Sequence, residues 1–362
     1  MSNSNSILFV GPLPPPVHGF AEINRRMLLR LQSISSVLVF NVTPIKSVGF
    51  FYQLKPWVNL LLLILKYFYV SFTTKHWVLY LPLSGGFRQL IDLCFALPAL
   101  LLGKNIYVHH HSFSYINRRP LFARFVLSLL RNTTHIVLGE TMATRLKQQY
   151  PVIKGRFITI SNVAFLDDIQ APECANKHGK LVLGFLSNIT REKGIFDFLA
   201  LIEETSCLGL PVEGIIAGPV NDDVKVEVES ALEKIPAAKY IGPVYGVIKT
   251  GYFQQIDLLI FPTRYENEAE PVTIWEALGS GVPVIALSRG CIADVVIPDI
   301  GLTIFNQSKF IEQAIEHISY LIEQPNRLAD MQLNARSYFL VSRAHHRKNL
   351  EALLEEIIHN AT

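Results

Sequence analysis

The segment DLLIFPTRYENEAEPVTIWEALGSGVPVIAL, residues 257–287, decides what kind of fold this chain has. It opens on a continuous apolar run, Leu258 to Phe261, which suits a strand covered on both faces. The loop RYENEAE follows. Pro271 then stands where proline is tolerated, in the first turn of a helix whose apolar side is Val272, Ile274, Trp275 and Leu278. Gly279 and Gly281 stop that helix, and VPVIA starts the next strand. Strand, helix and strand in this order make a parallel sheet, and the loop falls at the carboxyl end of a strand, where open α/β sheets bind ligands. Three carboxylates, Glu268, Glu270 and Glu276, surround this one turn in a chain of which only 17% is charged. One acid could simply answer the positive end of the helix dipole; three are harder to explain that way. A carboxylate accepts two hydrogen bonds, as a vicinal diol offers them. Glu268 on the loop and Glu276 in the helix therefore fit two diols at opposite ends of one extended ligand. Phosphates between those diols would need cations or backbone amides.

The same pattern runs along the whole chain. Residues 7–10, 37–40, 77–81, 106–110, 135–139 and 157–161 read as strands, with helices such as 21–31 and 121–130 between them. A stretch with little pattern, 163–178, follows. A second series then reads as strands at 181–187, 212–218, 238–244, 257–263 and 283–287. The expected architecture is α/β, two Rossmann-like doubly wound halves, with an amphipathic helix over 342–359 at the end. The chain of 362 residues has length enough for two cores.

Net charge is only +3, but it is unevenly placed. Residues 1–160 hold 17 Lys and Arg against Glu22, Asp92 and Glu140, a net +14; the remainder holds 16 against 27, a net −11. The basic half also carries the apolar runs WVNLLLLILKYFYVSF and LIDLCFALPALLLG. Basic and apolar together suit an anionic membrane surface better than nucleic acid, for which no binding motif is present. The run from Val58 to Phe72 is short of the ~20 residues a membrane span needs and is interrupted by Lys66. It is either a core helix or a helix docked at an interface, and the second run is expected to break at Pro98. Cys94, Cys174, Cys207 and Cys291 lie far apart, which suits neither a zinc site nor a disulfide framework and fits a reducing cytoplasm. The opening MSNSNSILFVGPLPPP has no basic n-region and a very short apolar run, so no secretory leader is expected.

The segment FPTRYENEAEPVTIWEALGSGVPVIALSRGCIADVV resembles the Glu-x7-Glu segment of the family 4 glycosyltransferases, retaining enzymes of the GT-B fold. LFVGPLPPPVHGF, YVHHHS, VLGETMATRL with ISNV, and LGFLSNITREKGIFDFL resemble further family segments and occur in the family's order. The resemblance implies two domains facing across a cleft: an acceptor-binding domain, 1–164, joined by the helix 342–359, and a domain for the nucleotide-sugar donor, 176–340. It implies that Glu276 holds the donor ribose, Glu268 contacts the transferred sugar, Lys193 meets the diphosphate and Gly19 lets the backbone approach it. The role of Glu270 on the loop stays open. Where the family has Gly-Arg, this chain has Ser187-Asn188, which removes one expected cation, and Arg191 is the substitute.

Strand neighbours point to opposite faces, so His109, His110 and His111 cannot share one ion. The resemblance favours His111 as the sugar contact, with His109 as its substitute. His18 stands open between acceptor contact and loop support. No Asp-x-Asp ends a strand, so neither a metal nor another cofactor is expected. The reading is therefore a metal-independent, retaining transfer of a hexose from a nucleotide-diphosphate sugar to a lipid-linked or oligosaccharide acceptor, with bacterial surface polysaccharide synthesis as its setting. Arg118, Arg119 and Arg124, then Lys55 and Lys66, are the cations expected at the acceptor or at an anionic membrane, on the cytoplasmic face of the cell membrane. Two rivals compete with it. A nicotinamide oxidoreductase needs Gly-x-Gly-x-x-Gly after its first strand, and PLPPP cannot supply those amides. A catalytically idle GT-B subunit that binds a partner or a glycan is favoured by Asn188 and opposed by the Glu268/Glu276 pair.

Overall fold

The computed structural model describes residues 6–15, 19–43, 55–169 and 179–361. His18, residues 170–178 of the low-pattern stretch, and the boundary expected at 176 lie outside them. The chain divides into two units, Met1–Phe165 with His345–Thr362, and Leu166–Ala344.

The first unit is built on a parallel sheet of six strands: β1 (Ser6–Gly11), β2 (Ser36–Asn41), β3 (Trp77–Leu83), β4 (Ile106–His110), β5 (Thr134–Val137) and β6 (Phe157–Thr159). Their order across the sheet is β2-β1-β3-β4-β5-β6. β1, β3 and β4 are buried throughout, as uninterrupted apolar runs require when helices cover both faces. β2 lies at the edge, where Phe40 is its one buried residue. The first helix, Gly19–Gln32, buries Ala21, Ile23, Met27, Leu28 and Leu31, a helical stripe facing the sheet.

The second unit has its own six parallel strands: β7 (Leu181–Leu186), β8 (Val212–Ala217), β9 (Ala238–Tyr240), β10 (Leu258–Phe261), β11 (Val284–Leu287) and β12 (Gly301–Ile304). The order is β12-β11-β10-β7-β8-β9. Phe185, Phe198, Ile202, Ile216, Ile260 and Met331 belong to its core. β12 is the strand the sequence reading did not include.

Three helices depart from expectation. Lys55–Thr73 is no core helix: only Tyr67 and Ser71 are buried along its 19 residues. Tyr67 wedges between Phe40 of β2 and Phe95, at ring distances of 4.9 and 5.1 Å, and the rest of that face is shallow. Gln89–Leu101 does not break at Pro98 but runs through it. The proline gives up one amide bond close to the helix end, while its carbonyl still accepts from the Leu102 amide at 3.0 Å. The last helix is one rod of 37 residues, Pro325–Ala361, which belongs to the second unit up to Ala344 and to the first from His345. Its final turns bury Leu350, Leu353, Leu354 and Ile357, and Tyr107 of β4 is hydrogen-bonded by Asn360 at 2.7 Å.

Candidate functional site

In the second sheet β7 and β10 are neighbours, and the chain leaves them in opposite directions, towards β8 and towards β11. Such a reversal opens a crevice at the carboxyl ends of the two strands. Lys193 follows β7 and Glu268 follows β10, and the two side chains meet in an ion pair at this point. Both are sheltered, the Lys193 side chain 23% and that of Glu268 13% exposed. The Thr263 hydroxyl donates to the same Glu268 oxygen at 3.3 Å, and the Lys193 ammonium lies 5.0 Å from the centre of the Tyr265 ring.

The backbone explains why these groups meet. Thr190 caps the turn Arg191–Lys193 by accepting from the Lys193 amide. Gly194 follows with φ +82°, and a β-carbon there would lie 2.2 Å from the Pro262 carbonyl oxygen at the end of β10. Only glycine satisfies both the left-handed backbone and the close approach. The turn after β7 is thereby pressed against β10, and the helix Ile195–Cys207 starts with its positive end at the same place. Across the crevice, Gly290 has φ +53°, and its β-carbon would meet the carbonyl oxygens of Glu268 and Ala269 at 2.2 and 2.5 Å. The Cys291 amide donates to the Ala269 carbonyl at 2.7 Å, so the loop of Glu268 is fixed from that side too.

Pro271 caps the helix Val272–Gly279, which carries Glu276. The helix ends as expected. The Val282 amide bonds Ala277 and the Gly281 amide bonds Leu278, with Gly281 at φ +74°; this pair of bonds is a Schellman ending. Gly279 has a packing reason instead, since a β-carbon would press on Ile169 at 2.5 Å. Glu276 pairs with Lys249, from the helix Gly246–Phe253. Glu270, the last residue of the loop, is buried.

Not every candidate joins this cluster. Arg191 turns to Glu227, bonding both carboxylate oxygens at 2.6 and 2.8 Å, with its guanidinium 4.7 Å from the centre of the Phe196 ring. Asn188 is exposed just beyond β7. Arg264 within the loop is taken by Asp197. Lys249, Thr263, Gly194 and Gly290 were not singled out from the sequence. Gly194 lies in the quoted KGIF turn and Gly290 in SRGC, so a glycine beside a turn was a usable signal for both; Lys249 had none.

The first sheet has its own reversal, between β1 and β3. Gly19 begins the helix after β1, and a β-carbon on it would meet nothing within 4 Å. Its glycine character is therefore not demanded by any described neighbour. The next residue, Phe20, packs its ring 5.0 Å from that of His111 at the end of β4. His111 and His109 lie on the same face, ring centres 3.9 Å apart, as strand alternation demands. Tyr80 bonds His109 Nδ1 at 2.5 Å, while the Nε2 atoms of His109 and His111 are enclosed without a partner among the described residues. Burial holds His111 down to about 3 and His109 well below the usual histidine range, so both rings are neutral at pH 7.

His110 points to the other face and into a relay. The bonds run from Tyr115 Oη to His110 Nδ1 at 2.7 Å, from His110 Nε2 to His135 Nδ1 at 2.9 Å, and from His135 Nε2 to the Leu130 carbonyl at 3.1 Å. Burial holds both rings below the usual histidine range, hence neutral, and the carbonyl can only accept, so each proton along the chain is assigned. This is a structural network. Beside it, the helix Gln89–Leu101 brings in Asp92, also unforeseen: the amide of Ser84, in the loop after β3, donates to its carboxylate at 2.7 Å. Burial pushes this carboxyl up to about 7 despite that bond. Of the basic candidates, Arg119 stacks 5.9 Å from the centre of the Tyr150 ring, while Arg124 shares the exposed side of the helix Leu121–Leu129 with Leu121 and Phe125. Arg118 is exposed just before that helix. Among the described residues no three His, Cys, Asp or Glu side chains are grouped to hold a metal ion.

Comparison with known proteins gives these features a context. Residues 168–338 match the family model described as glycosyl transferases group 1. A GDP-mannose-dependent alpha-mannosyltransferase of Mycolicibacterium smegmatis is 29% identical over 120 residues, which are 33% of this chain and 29% of that protein. The match thus spans less than a third of that relative. Among solved structures, Anabaena HepE in complex with UDP superimposes with a TM-score of 0.72 at 16% identity, over 97% of this chain and all of the other. The sucrose-phosphate synthase of Thermosynechococcus elongatus gives 0.73 at 12% identity, over 98% and 99%. The fold is that of the GT-B glycosyltransferases.

Proposed function

We propose that the protein is a retaining glycosyltransferase that moves a sugar from a nucleotide-diphosphate donor to a lipid-linked or glycan acceptor. The observation that carries this reading is the meeting of Lys193 and Glu268 at the reversal of the second sheet, with Glu276 one helix turn beyond the same loop. In this reading Glu276 accepts from the ribose hydroxyls and Glu268 from the hydroxyls of the transferred sugar. Lys193 and the first amides of the helix Ile195–Cys207 take the diphosphate. Without ligand, Lys193 is neutralised by Glu268; an arriving diphosphate offers it a second anion, and the sugar hydroxyls offer Glu268 replacement donors. Donor binding therefore exchanges one ion pair for two sets of ligand contacts.

In the transfer, the bond from the anomeric carbon to the diphosphate oxygen breaks and a bond to the acceptor oxygen forms on the same face. The acceptor proton leaves with the departing diphosphate. Charge develops on that diphosphate, and Lys193 stabilises it without a metal. In this reading Gly19, whose β-carbon would meet no described residue within 4 Å, lets a diphosphate come close to the backbone. The neutral ring of His111 offers its Nε2, which no described residue engages, to a sugar hydroxyl.

Lys193→Ala is expected to lower turnover on the order of 10²-fold, the scale for losing one such electrostatic contact. Near-normal turnover in this variant would contradict the assignment. Turnover is expected to be indifferent to a chelator, and product analysis should show the anomeric configuration of the donor unchanged. The commitment of Arg191 to Glu227 favours a second reading, an idle subunit that binds a partner or a glycan. Hydrolysis or transfer of any nucleotide sugar by the purified protein eliminates it.

Charge supports the choice of acceptor. The first unit is strongly basic and apolar, which an anionic, lipid-linked acceptor uses and a soluble sugar does not. The setting that follows is the cytoplasmic face of a cell membrane, in the synthesis of a surface polysaccharide.

A further inference from the structure

We propose that three helices of the first unit, Lys55–Thr73, Gln89–Leu101 and Leu121–Leu129, form one face that lies flat on an anionic phospholipid bilayer, with Lys55–Thr73 embedded in the plane of the interface. The proposal deepens the lipid-linked acceptor reading and rests on it for the purpose of docking.

Topology puts the three helices together. They follow β2, β3 and β4, and each crosses in the same direction along the sheet order. Right-handed crossovers then place all three on one face, opposite Gly19–Gln32. Gln89–Leu101 packs against both of the others. The outer side of this layer is apolar. On Lys55–Thr73, Val58, Leu62, Leu65, Tyr69 and Phe72 make a stripe at helical spacing, and each is more than half exposed. Leu97 and Leu101 continue it on the second helix, and Leu121, Phe125 and Leu129 on the third. A contiguous apolar surface of this extent calls for a partner.

Charge says which partner. Lys55 and Lys66 fall along one flank of the stripe, and Arg124 flanks the exposed side of the third helix. Between Glu22 and Glu140 the sequence has one carboxylate, Asp92, and it is buried. This layer therefore presents apolar side chains and cations, with no exposed acid among its described residues. A protein partner would ordinarily bring charges of both signs, whereas an anionic bilayer has a hydrocarbon interior beneath a uniformly negative surface.

The helix lies on the bilayer and does not cross it. Lys55–Thr73 is long and apolar enough to span by composition. It is, however, the crossover between β2 and β3, which both pair with β1. Tyr67 pins it to the sheet through Phe40 and Phe95. Spanning would require pulling those contacts apart.

Trp57 gives a built-in probe. It is 65% exposed, while the chain's other two tryptophans, Trp77 and Trp275, are buried. The full chain is mixed with vesicles of phosphatidylcholine alone or with a quarter phosphatidylglycerol. Co-sedimentation and Trp57 emission are read at low and high salt. We expect at least tenfold stronger partition to the anionic vesicles at low salt, with a blue shift of Trp57. Leu62→Glu with Leu65→Glu should remove most of the binding, and Lys55→Gln with Lys66→Gln and Arg124→Gln should remove its salt-dependent part. Equal binding to neutral vesicles, binding unaffected by the two glutamates, or resistance to alkaline carbonate, which marks a spanning helix, would each overturn the proposal. A dimer in solution that the two glutamates dissociate would assign the face to a second copy instead. The nucleotide-induced rise in melting temperature is measured on every variant. It shows that the variants are folded, and its absence in the parent protein would defeat the donor reading while leaving docking to stand or fall on the vesicles.

Discussion

At the scale of single residues, the two glutamates are distinguished by what they are bonded to. Glu276 has Lys249 and Glu268 has Lys193, so each carboxylate is held in place before a ligand arrives. Glu276→Gln keeps the shape and removes the charge. It should weaken nucleotide binding about tenfold or more, since a hydrogen bond to a charged group contributes roughly 1.5–3 kcal/mol; titration calorimetry with the free nucleotide measures it. Asp92 makes a prediction about stability. Its carboxyl is raised to about 7 in the folded protein. The folded state therefore binds more protons than the unfolded chain between about pH 4 and 7, and this residue's contribution falls as pH rises through that window. Asp92→Asn should flatten that part of the profile, and the gain in melting temperature over the parent should be larger at pH 8 than at pH 5. The residue pairs themselves were not legible in the sequence. Lys193 and Glu268 are 75 positions apart and Lys249 and Glu276 are 27 apart. What joins them is the order of strands in the sheet, which local periodicity does not encode.

Elements were far more legible. Buried parallel strands are continuous apolar runs, and the runs at 106–110 and 181–187 match β4 and β7 to within a residue. β12 escaped because it is a short edge strand with a half-buried middle, so its apolar signal is interrupted. Lys55–Thr73 was legible as a helix but not as an exposed one, because the same apolar composition serves a core and an interface. The turn around Gly290 supplies a test at this scale. Gly290→Ala must displace the carbonyls of Glu268 and Ala269, which a β-carbon would meet at 2.2 and 2.5 Å. The strands beside it need not change. The expected outcome is a folded protein, by far-ultraviolet circular dichroism, whose melting temperature no longer rises with nucleotide. An unchanged ligand response would mean that the loop tolerates the shift.

For the whole molecule, pH pulls stability two ways and the histidines win. His109 and His110 are held well below their usual range, His111 to about 3, and His135 and His346 to about 4, in each case chiefly by burial. Between pH 6.5 and about 4 the unfolded chain takes up protons on these rings and the folded protein does not, so stability falls as pH falls. Five such groups outweigh the single opposing carboxyl of Asp92. The melting temperature should drop steeply from pH 7 to pH 5, and a flat profile would contradict the buried histidine cluster. The rod Pro325–Ala361 has a consequence of another kind, in the order of synthesis. The first unit begins the chain, yet its last helical turns, with Leu350, Leu353 and Ile357, are made only after the entire second unit. At roughly 5–20 residues per second, the nascent first sheet waits on the order of ten to forty seconds for the segment that covers Tyr107. During that interval its apolar surface is available to chaperones, and a released chain ending at residue 344 would have the whole second unit but an uncapped first one.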